Sequence, residues 1–205
     1  MLNSSGFDLW ADGYDRSVHL SEEADEYPFA GYKRVLGTIY SIIKNGNGKR
    51  ILDVGFGTGI LSKKLYDEGY SIYGIDFSKK MIELSKKKMP NATLTQYDFS
   101  QGLPACLRGE TFDAIVCTYA IHHLSDSQKI KFIRELLDRL AVDGKVLIGD
   151  VAFPTIKELE QCRTRSGDRW DYDERYPVAE VLQSAFPSMR FEKISDCAGV
   201  LSFAK

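Results

Sequence analysis

From residue 50 onward, short apolar runs alternate with segments of helical periodicity, and this alternation restricts the possible folds sharply. Five runs are typical of buried strands: RILDV, YSIYGID, ATLTQYD, FDAIVCTYA and KVLIGDV. Strands joined by helical crossovers predict a parallel sheet that is covered on both faces. Two later runs, RFEKISD and AGVLSFAK, predict a hairpin that brings one antiparallel strand into this α/β sheet.

Three helical segments accompany these strands. Residues 28–45 predict an amphipathic helix before the first strand, and a second helix is predicted after Ser78. The third begins at a cap formed by Ser125 or Asp126 and ends before Gly144. One face of this third helix carries the apolar side chains Ile130, Ile133, Leu137 and Leu140.

Length and composition describe an ordinary globular chain. The 205 residues are enough for one well-packed domain and short for two. We therefore expect a single domain over residues 1–205, with residues 1–48 as an N-terminal helical cap or lid and residues 49–205 as the sheet core. A net charge of -2 disfavours a surface built for nucleic acid, and no apolar run is long enough to span a membrane.

Cysteine usage and the N-terminus bear on the compartment. The chain has no CxxC pair and no Cys/His spacing, so neither a disulfide nor a metal site is predicted from Cys106, Cys117, Cys162 and Cys197. The first ten residues lack the basic and apolar pattern of a signal peptide. These features predict a cytoplasmic protein, either a monomer or a homodimer.

A polar residue stands at the carboxyl end of each of the five predicted parallel strands: Asp53, Asp76, Asp98, Tyr119 and Asp150. In an open parallel sheet, ligands bind at this edge, near the point where the strand order reverses. A single aspartate in such a position caps a helix or turn as often as it binds a ligand. Four aspartates beside a glycine loop favour a ligand site.

The glycine loop after the first strand is compatible with two ligand classes. Gly55 and Gly57 match the start of the dinucleotide pattern G-x-G-x-x-G, but the third glycine is Gly59 rather than residue 60. Asp76 lies 21 positions after Gly55 (76 − 55), which is the spacing of a ribose-binding acid. Spacing alone therefore leaves a dinucleotide open.

Asp53 distinguishes the two classes. A carboxylate two residues before Gly55 lies close to the place of a pyrophosphate, which it would repel by about a few kcal/mol in a partly dry cleft. S-adenosylmethionine (SAM) instead offers an ammonium and a sulfonium that a carboxylate attracts. Its own carboxylate can accept hydrogen bonds from backbone N–H groups of the loop.

The remaining parts of SAM also find partners in the sequence. Asp76 can accept hydrogen bonds from both ribose hydroxyls, and Asp98 from an adenine amino group. The two faces of the adenine can be covered by Phe77, Ile82 and Phe99.

These motifs resemble those of class I SAM-dependent methyltransferases. ILDVGFGTG resembles the first motif of that family, GIDFS its ribose-binding motif, QYDFS its adenine-binding motif, and FDAIVCTYAIHHL the motif after the fourth strand. FDLWADGYD, residues 7–15, resembles the opening of small bacterial methyltransferases of the YrrT-like group. The resemblance implies a Rossmann-like seven-stranded mixed sheet of order 3-2-1-4-5-7-6, SAM as cofactor with S-adenosylhomocysteine (SAH) as product, and Gly55, Asp76 and Asp98 as cofactor contacts.

Methyl transfer from a sulfonium depends mainly on alignment and on exclusion of water, with a base where the acceptor carries a proton. Candidate groups for the base lie at the same sheet edge and in the N-terminal segment: His122, His123, Tyr14, Tyr119 and Asp150. His123 is preferred because the resembling group also has HHL at this place. Trp10 and Tyr14 are candidates for an aromatic lid over the methionyl end of the cofactor.

The acceptor is expected to be a small molecule. The stretch TYAIHHL lacks the Asn/Asp-Pro-Pro-aromatic motif of exocyclic-amine methylation, and Cys117 follows Val116 rather than proline. Residues 154–176 are a candidate cover for the acceptor, with Arg163, Arg165 and Arg169 as candidate ligands for an anionic group. Three alternatives stay open: a non-catalytic module that binds SAM or SAH, a tRNA methyltransferase, and an NAD-dependent oxidoreductase.

Overall fold

The strands form one mixed sheet in the order predicted. A computed structural model describes residues 26–205. Within these residues, seven strands follow the order β3-β2-β1-β4-β5-β7-β6, which confirms the expected fold class. The strands are β1 Arg50–Val54, β2 Ser71–Asp76, β3 Thr93–Gln96, β4 Phe112–Thr118, β5 Leu140–Val151, β6 Arg190–Lys193 and β7 Ala198–Phe203.

The strand register brings the carboxyl ends of the parallel strands to one edge. Strands β1 to β5 pair in parallel, whereas β7 runs antiparallel to both β5 and β6, as the predicted hairpin requires. Val54 pairs with Ile75 of β2 and with Cys117 of β4. The strand order reverses between β1 and β4, so a cleft is expected at that edge.

Helices cover both faces of the sheet. They are α1 Tyr32–Lys44, α2 Ile60–Asp67, α3 Lys79–Lys88, α4 Asp126–Asp138, α5 Ile156–Ser166 and α6 Ala179–Gln183. One apolar cluster joins the sheet to α1, α2 and α3, and a second joins it to α4 and α6. The cap predicted at Ser125 or Asp126 is formed by Ser125, in a capping box with Gln128. Ser78 also caps its helix, since its hydroxyl accepts the N–H of Met81.

None of the helices in the described part of the chain has the length and apolar character that crossing a bilayer requires. The predicted cap over residues 1–48 is described only from residue 26. The helix predicted over residues 28–45 begins at Tyr32. It begins late because Gly31 adopts a left-handed φ of 77°, which lies outside the helical range.

The predicted extension of the third helix toward Gly144 was wrong. Helix α4 ends at Asp138, and Leu140 already pairs with Phe112 of β4, so the following residues belong to strand β5. Ile133 is buried as expected, but Ile130 and Leu137 are half-buried. The face that packs on the sheet consists of Lys129, Phe132, Ile133 and Leu136.

Gly149 of β5 lets helix α1 approach the sheet closely, which yields a stability prediction. A Cβ atom at Gly149 would lie 2.4 Å from Val35 Cγ1 and 2.8 Å from Ile39 Cδ1. Gly149→Val is therefore expected to lower the free energy of unfolding by about 1–3 kcal/mol, measured by urea denaturation.

The control for this prediction is Gly37→Ala in α1, the helix that packs against Gly149. No described atom lies within 4 Å of a Cβ added at Gly37, so this change is expected to raise stability by up to about 1 kcal/mol through helix propensity. If Gly149→Val were as stable as the parent protein, the close packing of α1 on β5 would be refuted.

Candidate active site

A cavity of about 530 Å³ lies at the carboxyl ends of β1, β2 and β4. Its wall includes residues 27–36, the glycine loop, the turn after β2, the turn after β4, and residues 169–174 of the predicted cover segment. Its volume is within the range of sites for small ligands and cofactors.

The three glycines of the loop serve different purposes. Gly55 has a φ of 66°, and a Cβ there would lie 2.6 Å from the Cβ of Ala120, so only glycine fits. Gly57 has a φ of 54° and no described atom within 4 Å of an added Cβ, which leaves its backbone open toward the cavity. Gly59 instead caps α2 and approaches Ser85 of α3. Gly59 thus brings two helices together.

Asp76 connects the glycine loop to the turn after β2. Its side chain is buried, and its Oδ2 accepts the N–H of Gly57 at 2.8 Å while its Oδ1 accepts the N–H of Ser78 at 2.9 Å. The same carboxylate lines the adjoining cavity, where a bound ligand can contact it.

Asp53 at the end of β1 is a buried carboxylate with too few partners. The Ser62 hydroxyl donates to its Oδ2 at 2.5 Å, whereas its buried Oδ1 has no hydrogen-bond partner among the described residues. Burial raises the pKa of Asp53 to about 7, and the negative charge of Asp76 adds to this effect while Ser62 opposes it. A cation in the cavity would favour the charged carboxylate.

The aromatic residues predicted beside Asp76 and Asp98 line the cavity, but Asp98 does not. Phe77 and Phe99 belong to the cavity wall. Asp98 is exposed, and its Oδ1 accepts the N–H of Ser100 at 2.9 Å, which is the capping role considered for it. Ile82 lies in the apolar core, and its neighbour Met81 lines the cavity instead. The rotation of α3 about its axis determines which of these two side chains faces the cavity, and the sequence pattern does not resolve that rotation.

Tyr119 lies where β4 ends, in a strained backbone conformation. Its φ of 49° is positive, which is rare for a bulky residue and typical of functional sites. The ring of Tyr119 contacts those of Phe29 and Tyr32, with centroids 5.6 and 5.0 Å away. All three aromatic residues line the cavity.

The turn after β4 presents two adjacent histidines to the cavity. His122 Nδ1 lies 2.7 Å from Asp150 Oδ1, and His122 Nε2 lies 3.3 Å from Glu174 Oε1. Burial lowers the pKa of His122, but Asp150 and Glu174 outweigh burial and raise it above its ordinary value. Burial and the neighbouring His122 lower the pKa of His123 to about 4.

Glu174 is the residue of this group that the sequence analysis missed. Burial raises the pKa of Glu174, and His122 and the Tyr176 hydroxyl counteract that effect. It lies in a polar stretch without periodicity. Its place within residues 154–176, the predicted cover for the acceptor, was a signal for the segment and not for this residue.

Comparison with known proteins identifies the family. Residues 51–144 match a family described as a methyltransferase domain. An uncharacterized methyltransferase of Anoxybacillus flavithermus is 41% identical over 180 residues, covering 88% of this chain and 80% of its own. Another, from Oceanobacillus iheyensis, is 31% identical and covers 97% of this chain and 95% of its own. The chain belongs to the class I SAM-dependent methyltransferases.

A solved structure agrees with this assignment at the level of the fold. The magnesium protoporphyrin IX methyltransferase of Synechocystis PCC 6803, crystallised with SAH, superimposes with a TM-score of 0.71 at 19% identity, covering 95% of both chains. As a member of this family, the present chain uses SAM as its cofactor. Membership of the family removes the NAD-dependent oxidoreductase that the spacing of the glycine loop had left open.

The cavity of the methyltransferase fits SAM on the structure's own features. Its wall holds a buried, unpartnered oxygen of Asp53 suited to a cation, an open backbone at Gly57, and apolar rings at Phe77 and Phe99 suited to a nucleobase.

The three arginines predicted to bind an anionic acceptor do not lie together at the cavity. Arg169 lines the cavity and pairs with Glu26. Arg163 and Arg165 of α5 are exposed, and their ion-pair partners lie away from the cavity wall. Their charges therefore act on the surface of α5. Trp10 and Tyr14, the residues predicted to form a lid, lie outside the described part of the methyltransferase.

The buried charge of Asp53 predicts how stability depends on pH. The pKa of about 7 exceeds the ordinary 3.8, so between these values the folded state retains a proton that the unfolded chain has released. Stability is therefore lost as the pH rises through this window, by on the order of 4 kcal/mol at most. Asp53→Asn is expected to stabilise the ligand-free protein more at pH 8 than at pH 5, measured by urea denaturation.

Ser62→Ala provides the matched variant. It removes the hydrogen bond that favours the charged form of Asp53, so its loss of stability between pH 5 and pH 8 is expected to exceed that of the parent protein. An equal effect of Asp53→Asn at both pH values would show that Asp53 is not the group responsible.

Proposed function

We propose that this methyltransferase transfers a methyl group from SAM to a small-molecule acceptor, with both held in the cavity at the carboxyl edge of the sheet. One observation carries the proposal. The residues suited to SAM and the cluster of His122, His123 and Glu174 line the same cavity, whose volume of about 530 Å³ suits two small molecules better than a segment of a macromolecule.

The residues at one end of the cavity hold the donor. The carboxylate of Asp76 accepts hydrogen bonds from the ribose hydroxyls, and Phe77 and Phe99 cover the adenine. Asp53 attracts the cationic methionyl end, and the open backbone at Gly57 lets the ligand approach closely. Asp98 adjoins Phe99 without lining the cavity, so its predicted contact with the adenine stays a prediction.

At the other end, the residues after β4 hold the acceptor. Bound SAM would supply a methyl group on a sulfonium, and the sulfur would leave as the neutral thioether of SAH, which needs little further activation. The chain's contribution is to exclude water with Phe29, Tyr32 and Tyr119 and to fix the acceptor's direction. His123 is neutral at pH 7 because its pKa is about 4, so it has one N–H group that can donate a hydrogen bond to the acceptor while its other nitrogen can serve as a ligand atom. We assign it this orienting role.

The donor assignment predicts the effect of Asp76→Asn. This change keeps the shape of the side chain but removes the charge that strengthens two hydrogen bonds to ribose, so SAH affinity is expected to fall about 100-fold by calorimetry. Glu83→Gln on the exposed side of α3 is the control and should leave affinity unchanged. A loss within a factor of two for Asp76→Asn would rule out the ribose role.

A transfer assay tests the acceptor class. The protein is incubated with methyl-labelled SAM and a cell extract separated into small molecules, tRNA and protein. We expect label in the small-molecule fraction only. Label in the tRNA would identify a tRNA methyltransferase. Bound SAH without transfer to any fraction would favour a non-catalytic binding module.

A further inference from the structure

Three side chains with metal-binding chemistry converge on the wall of the cavity: His122, His123 and Glu174. One ligand atom from each lies within 4.8 Å of the other two. We propose that these residues form a binding site for a divalent transition-metal ion, with Zn²⁺ preferred. The site rests on its own geometry and does not depend on which acceptor is methylated.

The distance between His122 and Glu174 supports a shared metal ion. Nε2 and Oε1 are 3.3 Å apart, whereas a charge-assisted hydrogen bond is about 2.7–2.9 Å long. Two ligands of one tetrahedral Zn²⁺, each at about 2.0–2.1 Å, lie about 3.4 Å from one another. The two atoms thus already have the separation of neighbouring metal ligands, and a ligand nitrogen of His123 lies within 4.8 Å of both.

The surroundings of His122 have the form of a metal ligand's supporting shell. Metal-binding histidines usually donate their second ring N–H to a carboxylate, which fixes the tautomer and directs the other nitrogen at the ion. Asp150 provides that carboxylate at 2.7 Å from Nδ1, is fully buried, and is itself held by the N–H of Val151. Nε2 of His122 is therefore left directed toward Glu174.

Glu174 is oriented in a corresponding way. The Tyr176 hydroxyl donates to its Oε2, and the hydroxyl groups of Tyr176 and Tyr27 are hydrogen-bonded to each other. This leaves Oε1 on the side of His122. The ring of Tyr27 stacks on Trp170 with centroids 5.0 Å apart, so the carboxylate is supported by a packed aromatic group.

The donor set selects the kind of metal. Two imidazoles and one carboxylate suit Zn²⁺ and related ions, whereas Mg²⁺ and Ca²⁺ prefer oxygen ligands alone. Three protein ligands leave the fourth position of a tetrahedral ion open. Because all three residues line the cavity, that position is accessible from the space assigned to the acceptor.

Zn²⁺ binding is tested by calorimetry on the full chain after treatment with a chelator. Exposed Cys106 is a competing ligand, so a Cys106→Ser background is used. We expect one equivalent of Zn²⁺ to bind and Mg²⁺ not to compete. Glu174→Gln and His123→Asn should each reduce Zn²⁺ affinity at least about tenfold. Glu160→Gln on the surface of α5 should leave the affinity unchanged.

A second measurement separates ligand loss from misfolding. Co²⁺ bound in place of Zn²⁺ gives visible absorption bands that report its ligands, and SAH affinity measured on the same samples reports an intact donor site. Absence of Zn²⁺ binding, or equal binding by all variants, would overturn the metal site even where SAH binds normally. Failure of SAH to bind would overturn the proposed function and leave the metal result standing.

Discussion

The carboxylate of Asp76 holds together the part of the structure on which the cavity depends. One oxygen accepts the N–H of Gly57, in the crossover after β1, and the other accepts the N–H of Ser78, which caps α3. Two successive crossovers are therefore fixed to each other at the carboxyl edge of the sheet. The same buried carboxylate sets the loop conformation and forms part of the cavity wall, so a ligand that contacts Asp76 would act on the group that fixes the local fold.

The features that the sequence predicted well are those encoded locally. The helix cap at Ser125 and the hairpin follow from short motifs, whereas the strand order followed from the resemblance to a family. The predicted end of the third helix was wrong because Leu140 pairs with Phe112, and this long-range contact outweighs continued helical periodicity. Propensity within a window of residues does not contain that competition.

The two ends of the cavity, which are proposed for the donor and the acceptor, also differ in how far the sequence predicted them. Gly57 and Asp76 come from motifs at fixed spacing, and both lie on the cavity wall. Glu174 contacts His122 only because residues 169–174 return to the edge of the sheet. No periodicity marks that return, and Asp98 shows the converse: a correctly placed motif whose side chain caps a turn beside the cavity.

The three buried aspartates at this edge are compensated to different degrees. Backbone N–H groups stabilise Asp76, and His122 stabilises Asp150. Within residues 26–205, the hydroxyl of Ser62 is the one group that donates a hydrogen bond to the carboxylate of Asp53. Glu174 adds a further carboxylate beside His122. An excess of negative charge in a poorly solvated space destabilises the ligand-free protein and favours cations that enter it. The sulfonium donor near Asp53 and a metal ion at His122 and Glu174 would each neutralise a different part of that excess, which is why the two sites can coexist in one cavity.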